Sequence, residues 1–224
     1  MNLKHFFTTT CLAMCVSFSA QAVIIDHGDF LSDTDSGLDW LDVTKSRNMS
    51  INSVNAQLGT GGTFEGWRYA TGNEFNALIT HFTGITINTF DRTPIPVDDA
   101  FNLVVMLGQT GLFFNSRQAE NVTLGILSDK NSVGGFWTAQ INWTEQNAFP
   151  TNIFTGSVWA HAGTVNDGNI GSPNLGSFLV RATATDTGPV NSVPEPSLIG
   201  LLAIGLLGMG IFGRKTARET NSPT

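Results

Sequence analysis

Three carboxylates alternate along Asp33-Thr34-Asp35-Ser36-Gly37-Leu38-Asp39. Hard oxygen ligands on a tight turn are the donor set that Ca2+ takes, so Asp33, Asp35 and Asp39 form the candidate metal site of the sequence. The loop departs from the EF-hand pattern, because Thr44 stands at its twelfth position, where a bidentate Glu is required. The competing reading is a solvated hairpin turn, in which Asp, Ser and Gly are favoured for their local hydrogen bonds. His27, His81 and His161 stand in no His-x-x-x-His or His-Glu-x-x-His arrangement, which argues against zinc. No Gly-x-Ser-x-Gly elbow is present, and Gly59-Thr60-Gly61-Gly62 lacks the Lys-Ser/Thr of a phosphate loop. No pair of carboxylates is nominated for glycoside hydrolysis, since spatial pairs leave no mark in sequence. The expectation is therefore a protein without catalytic residues or a cofactor, Ca2+ at the Asp loop being the exception.

Aromatic rings are the other chemistry on offer. Tryptophan has an apolar face and one polar edge, and such a ring stacks on sugars. Trp143 and Trp159 lie among Asn, Thr, Gly and Ser and are the candidate glycan contacts. Trp40, Trp67 and Trp137 sit inside the domain's fold motifs, Gly37-Leu38-Asp39-Trp40, Gly66-Trp67-Arg68-Tyr69-Ala70-Thr71 and Gly135-Phe136-Trp137-Thr138-Ala139, and are expected in the core.

These side chains must be carried by one domain of about 170 residues, from Val23 to Ser192, enough to bury a sizeable core. This span holds seven Lys/Arg against sixteen Asp/Glu, a net charge of −9. Nucleic-acid binding and docking on anionic lipid both need a basic face and are disfavoured. Few charges with abundant Gly, Asn, Thr and Ser suit a β-rich extracellular fold.

Val23-Ile24-Ile25 and Leu38 to Leu41 read as two short strands with a turn between. Ile51, Val54 and Leu58 share one helical face, and the Gly-rich 59–62 segment ends that helix. Trp67 to Ala70 reads as extended. Thr71-Gly72-Asn73-Glu74 is a capping box, followed by Phe75, Leu78, Ile79 and Phe82 at helical spacing. A third helix is expected over Ala100 to Leu107, with Asp98 and Asp99 favouring its N-terminus. Strands are expected at 122–127, 135–143, 153–161 and 177–184. Early helices and a late antiparallel sheet define an α+β domain over 23–182, followed by a polar linker at 183–192.

Both ends of the chain are hydrophobic. Residues 1–22 read as a secretory signal peptide: Lys4 opens it, an apolar stretch follows, and Ala20-Gln21-Ala22 is a small-x-small cleavage site. Such a leader engages the Sec translocon and signal peptidase. The two cysteines, Cys11 and Cys15, both fall within it, so the mature chain would hold no disulfide and no thiol. At the other end, Val193-Pro194-Glu195-Pro196 precedes an uncharged apolar run from Ser197 to Phe212 and a basic cluster of Arg214, Lys215 and Arg218. As a helix that run is roughly 24 Å long, enough for a thin bilayer with help from Gly213 and a snorkelling Arg214. The expected transmembrane helix is thus 197–213, with the basic cluster placing the C-terminus in the cytoplasm.

The order Pro-Glu-Pro, apolar helix, basic cluster over 193–218 resembles the PEP-CTERM sorting signal of Gram-negative bacteria that make extracellular polysaccharide. The resemblance implies exosortase as a partner, a membrane-embedded enzyme that cuts near Pro194-Glu195-Pro196. It also implies transient residence in the inner membrane, then delivery to the cell surface or extracellular matrix. A second set of motifs lies in the domain itself: Gly37-Leu38-Asp39-Trp40, Gly66-Trp67-Arg68-Tyr69-Ala70-Thr71 before a Glu-containing helix, Gly135-Phe136-Trp137-Thr138-Ala139, and Phe178-Leu179-Val180-Arg181-Ala182. Together they resemble the cysteine-free bacterial C-type-lectin-like fold. Tyr69-Ala70 replaces that pattern's Leu-Pro, and Thr138 replaces its Ser. That resemblance implies a surface interaction module.

The functional expectation is a non-enzymatic exported surface or matrix protein, sorted by exosortase and associated with exopolysaccharide or biofilm. Two alternatives are a secreted hydrolase acting on polysaccharide and a periplasmic domain held permanently by its C-terminal helix.

Overall fold

The computed structural model describes residues 24–115, 118–146 and 151–184. The chain divides after Thr183, and the architecture below is that of the first unit. The leader, the linker beyond residue 184, the sorting motif and the expected span at 197–213 lie outside the described residues. Among the described residues, no helix is long and apolar enough to cross a membrane.

Three strands, β1 (Ile24–Asp26), β2 (Phe30–Asp33) and β3 (Leu38–Leu41), form an antiparallel meander. A 3-10 turn, Val43–Ser46, and a short helix α1, Ile51–Asn55, follow. Next come β4 (Arg68–Tyr69), helix α2 (Gly72–Thr83), β5 (Thr93–Ile95) and helix α3 (Val97–Leu107). The chain then lays down β6 (Gly111–Asn115), β7 (Gln118–Lys130), β8 (Phe136–Gln146) and β9 (Ile153–Val165), and closes with β10 (Gly176–Ser177) and β11 (Leu179–Ala182).

The strands make two sheets. The smaller runs β1-β2-β3-β11-β4, and the larger runs β10-β7-β8-β9-β5 with β6 also on β7. All pairings are antiparallel except the two-residue contact of β10 with β7. The molecule is therefore mostly sheet, with few helices, which corrects the simple order of helices first and strands last. The early strands belong to a sheet that the last strand completes.

Helices α2 and α3 lie on the main core together with both sheets. Leu31, Trp40, Phe178 and Val180 enter it from the smaller sheet, Phe75, Leu78 and Ile79 from α2, Leu103 and Leu107 from α3, and Ala139, Ile141 and Val158 from the larger sheet. A second core on the far face of the smaller sheet joins Tyr69 and Leu179 to Ile51 and Val54 of α1, Phe64, and Ile126 of β7. The capping box at Thr71 forms as the sequence predicts: Thr71 Oγ1 accepts from Glu74 N, and Glu74 Oε2 accepts from Thr71 N. Gly84 ends α2 in the left-handed conformation, at φ 71°, where glycine carries no Cβ penalty.

Three strands escaped the sequence reading. β2 is Phe-Leu-Ser-Asp, half polar, and becomes a strand because β1 and β3 supply its partners. β5 contains Pro94 and survives as an edge strand, where a missing N–H costs no ladder bond. β6 is a strand because β7 pairs with it, from Gly111 opposite Val122 to Asn115 opposite Gln118. Helix α3 begins three residues earlier than expected, after Pro96, and places Asp98 and Asp99 in its first turn.

Candidate functional site

The larger sheet positions the surface aromatics. Residues opposite one another in an antiparallel ladder share a face. Asn121, Trp143 and Gly156 are such a row, with Leu112 and Ile95 at its ends. Two residues further along on the same face stand Phe114, Ala119, Glu145 and Phe154. This is the face on which α3 packs. Gly156 allows the approach, because a Cβ there would lie 2.6 Å from the Ala100 methyl and 2.8 Å from the Ile95 carbonyl oxygen.

Beyond α3 the face is open. Trp143 packs partly against the main core. Its ring lies nearly parallel to Phe154, with centroids 6.0 Å apart and 12° between planes, and meets Phe101 of α3 edge-on at 5.5 Å and 71°. Phe101 and Phe154 are 47% and 46% exposed. Glu145 Oε1 accepts from Asn152 Nδ2 at 2.6 Å beside them. The result is a slot of three rings with carboxylate and amide groups at its rim.

Trp159 stands on the opposite face, across from Gln140. Its Nε1 donates to the Phe90 carbonyl at 3.2 Å. The same face carries a polar ladder: Arg92 Nε donates to Ser157 Oγ at 2.8 Å, Arg92 pairs with Glu120 at 3.5 Å, and Asn142 Nδ2 donates to Glu120 Oε1. Trp143 and Trp159, both half-buried, thus flank the sheet from opposite sides and do not form one site.

Trp137 departs from the expectation of a core residue. It is half-buried and stacks on His161 at 4.6 Å and 9°, with Phe90, 66% exposed, set edge-on to both. Gly72, at the head of α2, donates its N–H to Asp129 Oδ2 at 2.5 Å, and a Cβ on Gly72 would lie 3.1 Å from His161 Nε2. Among the described residues, neither ring nitrogen of His161 has a hydrogen-bond partner. Burial lowers the His161 pKa, although the Asp129 charge opposes this, so the neutral ring is favoured. Its place in the Gly135-Phe136-Trp137-Thr138-Ala139 motif put Trp137 inside, but β8 and β9 shift register between Thr138 and Gln140, next to it.

Trp67 is also half-buried, and it serves as a platform. The Arg181 guanidinium lies 4.4 Å from its ring and 4.9 Å from that of Phe30, with His27 stacked on Phe30 at 4.5 Å. Trp40, by contrast, is 1% exposed, as expected.

The Asp loop is divided among separate tasks. Asp33 is fully buried and accepts from Ser36 Oγ at 2.6 Å; its Oδ2 lies 2.8 Å from His81 Nδ1. Asp35 lies 3.4 Å from the other nitrogen of His81. Asp39 accepts from Ser32 Oγ at 2.6 Å, Arg181 Nε at 3.0 Å and Thr183 Oγ1 at 3.1 Å. Burial pulls the Asp39 pKa up, but these bonds and the Arg181 charge outweigh it and hold the carboxyl below its usual value. The three carboxylates therefore do not converge as calcium ligands. Among the described residues no group of three metal-binding side chains does so. The reason is register: Asp33 and Asp39 lie on opposite faces of the hairpin, Asp33 toward α2 and Asp39 toward Arg181.

The residues of the sorting tail, Val193 to Pro196 with Arg214, Lys215 and Arg218, and the leader residues Ala20 and Ala22, lie outside the described residues. For the tail, sequence comparison decides. Residues 192–215 match the PEP-CTERM protein-sorting motif. The chain carries a PEP-CTERM sorting signal. The motif implies an exported protein, placed at the surface or outside the cell by exosortase, which is its processing partner. It covers the tail alone and leaves the activity of the domain to the domain's own residues. No curated protein and no solved structure matches the chain.

Proposed function

We propose that the protein is a non-enzymatic surface or matrix module, delivered by exosortase and associated with the exopolysaccharide of its host. The observation that carries this reading is the PEP-CTERM motif at 192–215. The domain adds support. Four of its described carboxylates are tied to basic side chains, a structural use: Asp33 with His81, Asp39 with Arg181, Glu74 with Arg68, Glu120 with Arg92. Its exposed rings, Phe101 and Phe154 beside Trp143, offer the flat apolar faces on which pyranose rings stack.

The C-type-lectin-like reading belongs to this proposal. What supports it is the pairing of β3 with β11, strands near the two ends of the domain, around Trp40 and Val180. The quoted motifs also meet in space: Asp39 binds Arg181, and Arg181 lies over Trp67. The transient inner-membrane stage, with the basic cluster in the cytoplasm, is proposed on the same footing.

The test is processing in the native host. Substituting Glu195→Ala and Pro196→Ala together should leave an uncut, full-length species in the membrane fraction, detected by intact mass. If the doubly substituted chain is still shortened at its C-terminus, the sorting reading fails. If neither form is ever shortened, the protein is a permanently anchored periplasmic domain.

A further inference from the structure

The slot between α3 and the ends of β8 and β9 has rings on its floor and carboxylates at its rim, and this combination selects among glycans. We propose that Phe101, Trp143 and Phe154 bind an amino-sugar polymer bearing protonated amines, in preference to neutral or uronate-rich chains. The inference rests on the glycan association argued above.

The rings supply the first half of the site. Phe101 and Phe154 are each nearly half exposed, and with Trp143 they present both flat and edge-on aromatic surface within about one sugar ring's width. Aromatic faces attract C–H groups and cations alike, because the ring quadrupole is negative over the face. Rings alone do not choose between sugars.

Charge does. Glu145 lies directly across the ladder from Phe154, on the same face, and among the described residues only one of its carboxylate oxygens accepts a hydrogen bond, from Asn152. Asp98 stands three residues before Phe101 on α3, which puts it on the same side of the helix, and it is exposed. Among the described residues, the nearby cation Arg92, just before β5, is committed to Ser157 and Glu120 on the opposite face. Residues 23–192 as a whole hold sixteen Asp/Glu against seven Lys/Arg. A polyuronate would meet repulsion from this field, and a neutral glycan would leave Glu145 and Asp98 without a role. An ammonium group on a sugar seated over Phe154 satisfies both: its C–H face stacks, its charge lies over π density, and a carboxylate takes its N–H donors.

The experiment is a calorimetric titration of the full-length protein in mild non-ionic detergent with three probes: glucosamine hexamer, N-acetylglucosamine hexamer and galacturonic acid hexamer. At pH 6 the glucosamine hexamer should bind about ten-fold more tightly than its acetylated counterpart, the equivalent of one charge-assisted contact. Raising salt from 50 to 500 mM should shrink that gap. Glu145→Gln should remove most of the preference, and Phe154→Ala should weaken both amino-sugar probes about five-fold or more. Both side chains are at the surface, so neither variant is expected to unfold the domain, and an unchanged thermal midpoint would confirm it. Arg92→Gln, on the other face, should change nothing. Equal binding of the free-amine and acetylated hexamers, or tighter binding of the uronate, would overturn the proposal. Retention of the protein by host exopolysaccharide without binding of any hexamer would also overturn it, while leaving the glycan reading in place. Loss of retention by host exopolysaccharide as well would remove both. A mass that doubles with concentration and falls back on Phe154→Ala would assign the slot to a second copy of the chain instead.

Discussion

Asp39 shows how one residue can be read wrongly from its type and correctly from its partners. In sequence it is the third of three alternating carboxylates; in the structure it is 2% exposed and holds Arg181 in place over Trp67 and Phe30. Replacing the carboxylate by an amide removes the charge and sets an NH2 donor against Arg181 Nε, while the remaining oxygen still accepts from Ser32 and Thr183. Asp39→Asn should therefore cost about 2 kcal/mol in urea denaturation, in the range of a hydrogen-bonded charged group. The sign of the pH effect follows from the lowered carboxyl. A group whose native pKa is depressed stabilises the fold above its unfolded value, about 3.9 for Asp, and that contribution is lost as pH falls through the native value. Glu74 adds to the same acid limb, because its bond to Arg68 also lowers its pKa. The wild-type melting temperature should fall steeply below pH 4, and Asp39→Asn should flatten part of that fall while Glu74 retains the rest. An unchanged acid limb in Asp39→Asn would show that the pair contributes nothing to stability.

At the level of elements, the helices were the legible part. Thr71 and Glu74 mark the start of α2, and the Phe75-Leu78-Ile79 spacing marks its buried face, because capping and helical periodicity are local physics. The long strands β7, β8 and β9 were legible in outline, since bounded apolar runs need no knowledge of partners. β2, β5 and β6 were hidden for the opposite reason: each is a strand because a neighbour pairs with it. The candidate slot was half visible. Trp143 stood out in sequence, but Phe101 and Phe154 join it only through the packing of α3 on β8 and β9, a tertiary relation. That packing depends on Gly156. Ala at this position would bring its methyl within 2.6 Å of Ala100 and 2.8 Å of a backbone oxygen, and backbone cannot rotate away. Gly156→Ala should lower stability by about 1–3 kcal/mol, the usual cost of overpacking. It should also shift the fluorescence of Trp143, as α3 moves off the sheet and carries Phe101 with it. A stable variant with unaltered emission would mean that α3 does not set the geometry of the slot.

For the whole molecule, the decisive feature is where the last strand goes. β11 does not sit at an edge. It lies between β3 and β4, pairs with both, and buries Leu179 and Val180 completely. Phe178, just before it, packs against Trp40 and Phe75 at the centre of the main core. The smaller sheet therefore cannot close until residues 178–182 have crossed the membrane, about ten residues ahead of Val193 and the sorting motif. Folding of the domain and presentation of its processing site are tied to the same late stage of export, and a cut at or after Pro194 removes no part of either core. Residues 23–192 hold no cysteine to compensate for a missing strand, since Cys11 and Cys15 both precede them. The consequence is a sharp threshold in truncation. A chain ending at Asn191 should keep the cooperative thermal transition of the full-length protein, within a few degrees. A chain ending at Ser177 loses Phe178, Leu179 and Val180, together with the partners of β3 and β4, and should show no cooperative transition at all by circular dichroism. If the shorter chain melted like the longer one, β11 would be an accessory strand, and the link between completing the fold and exposing the sorting signal would not hold.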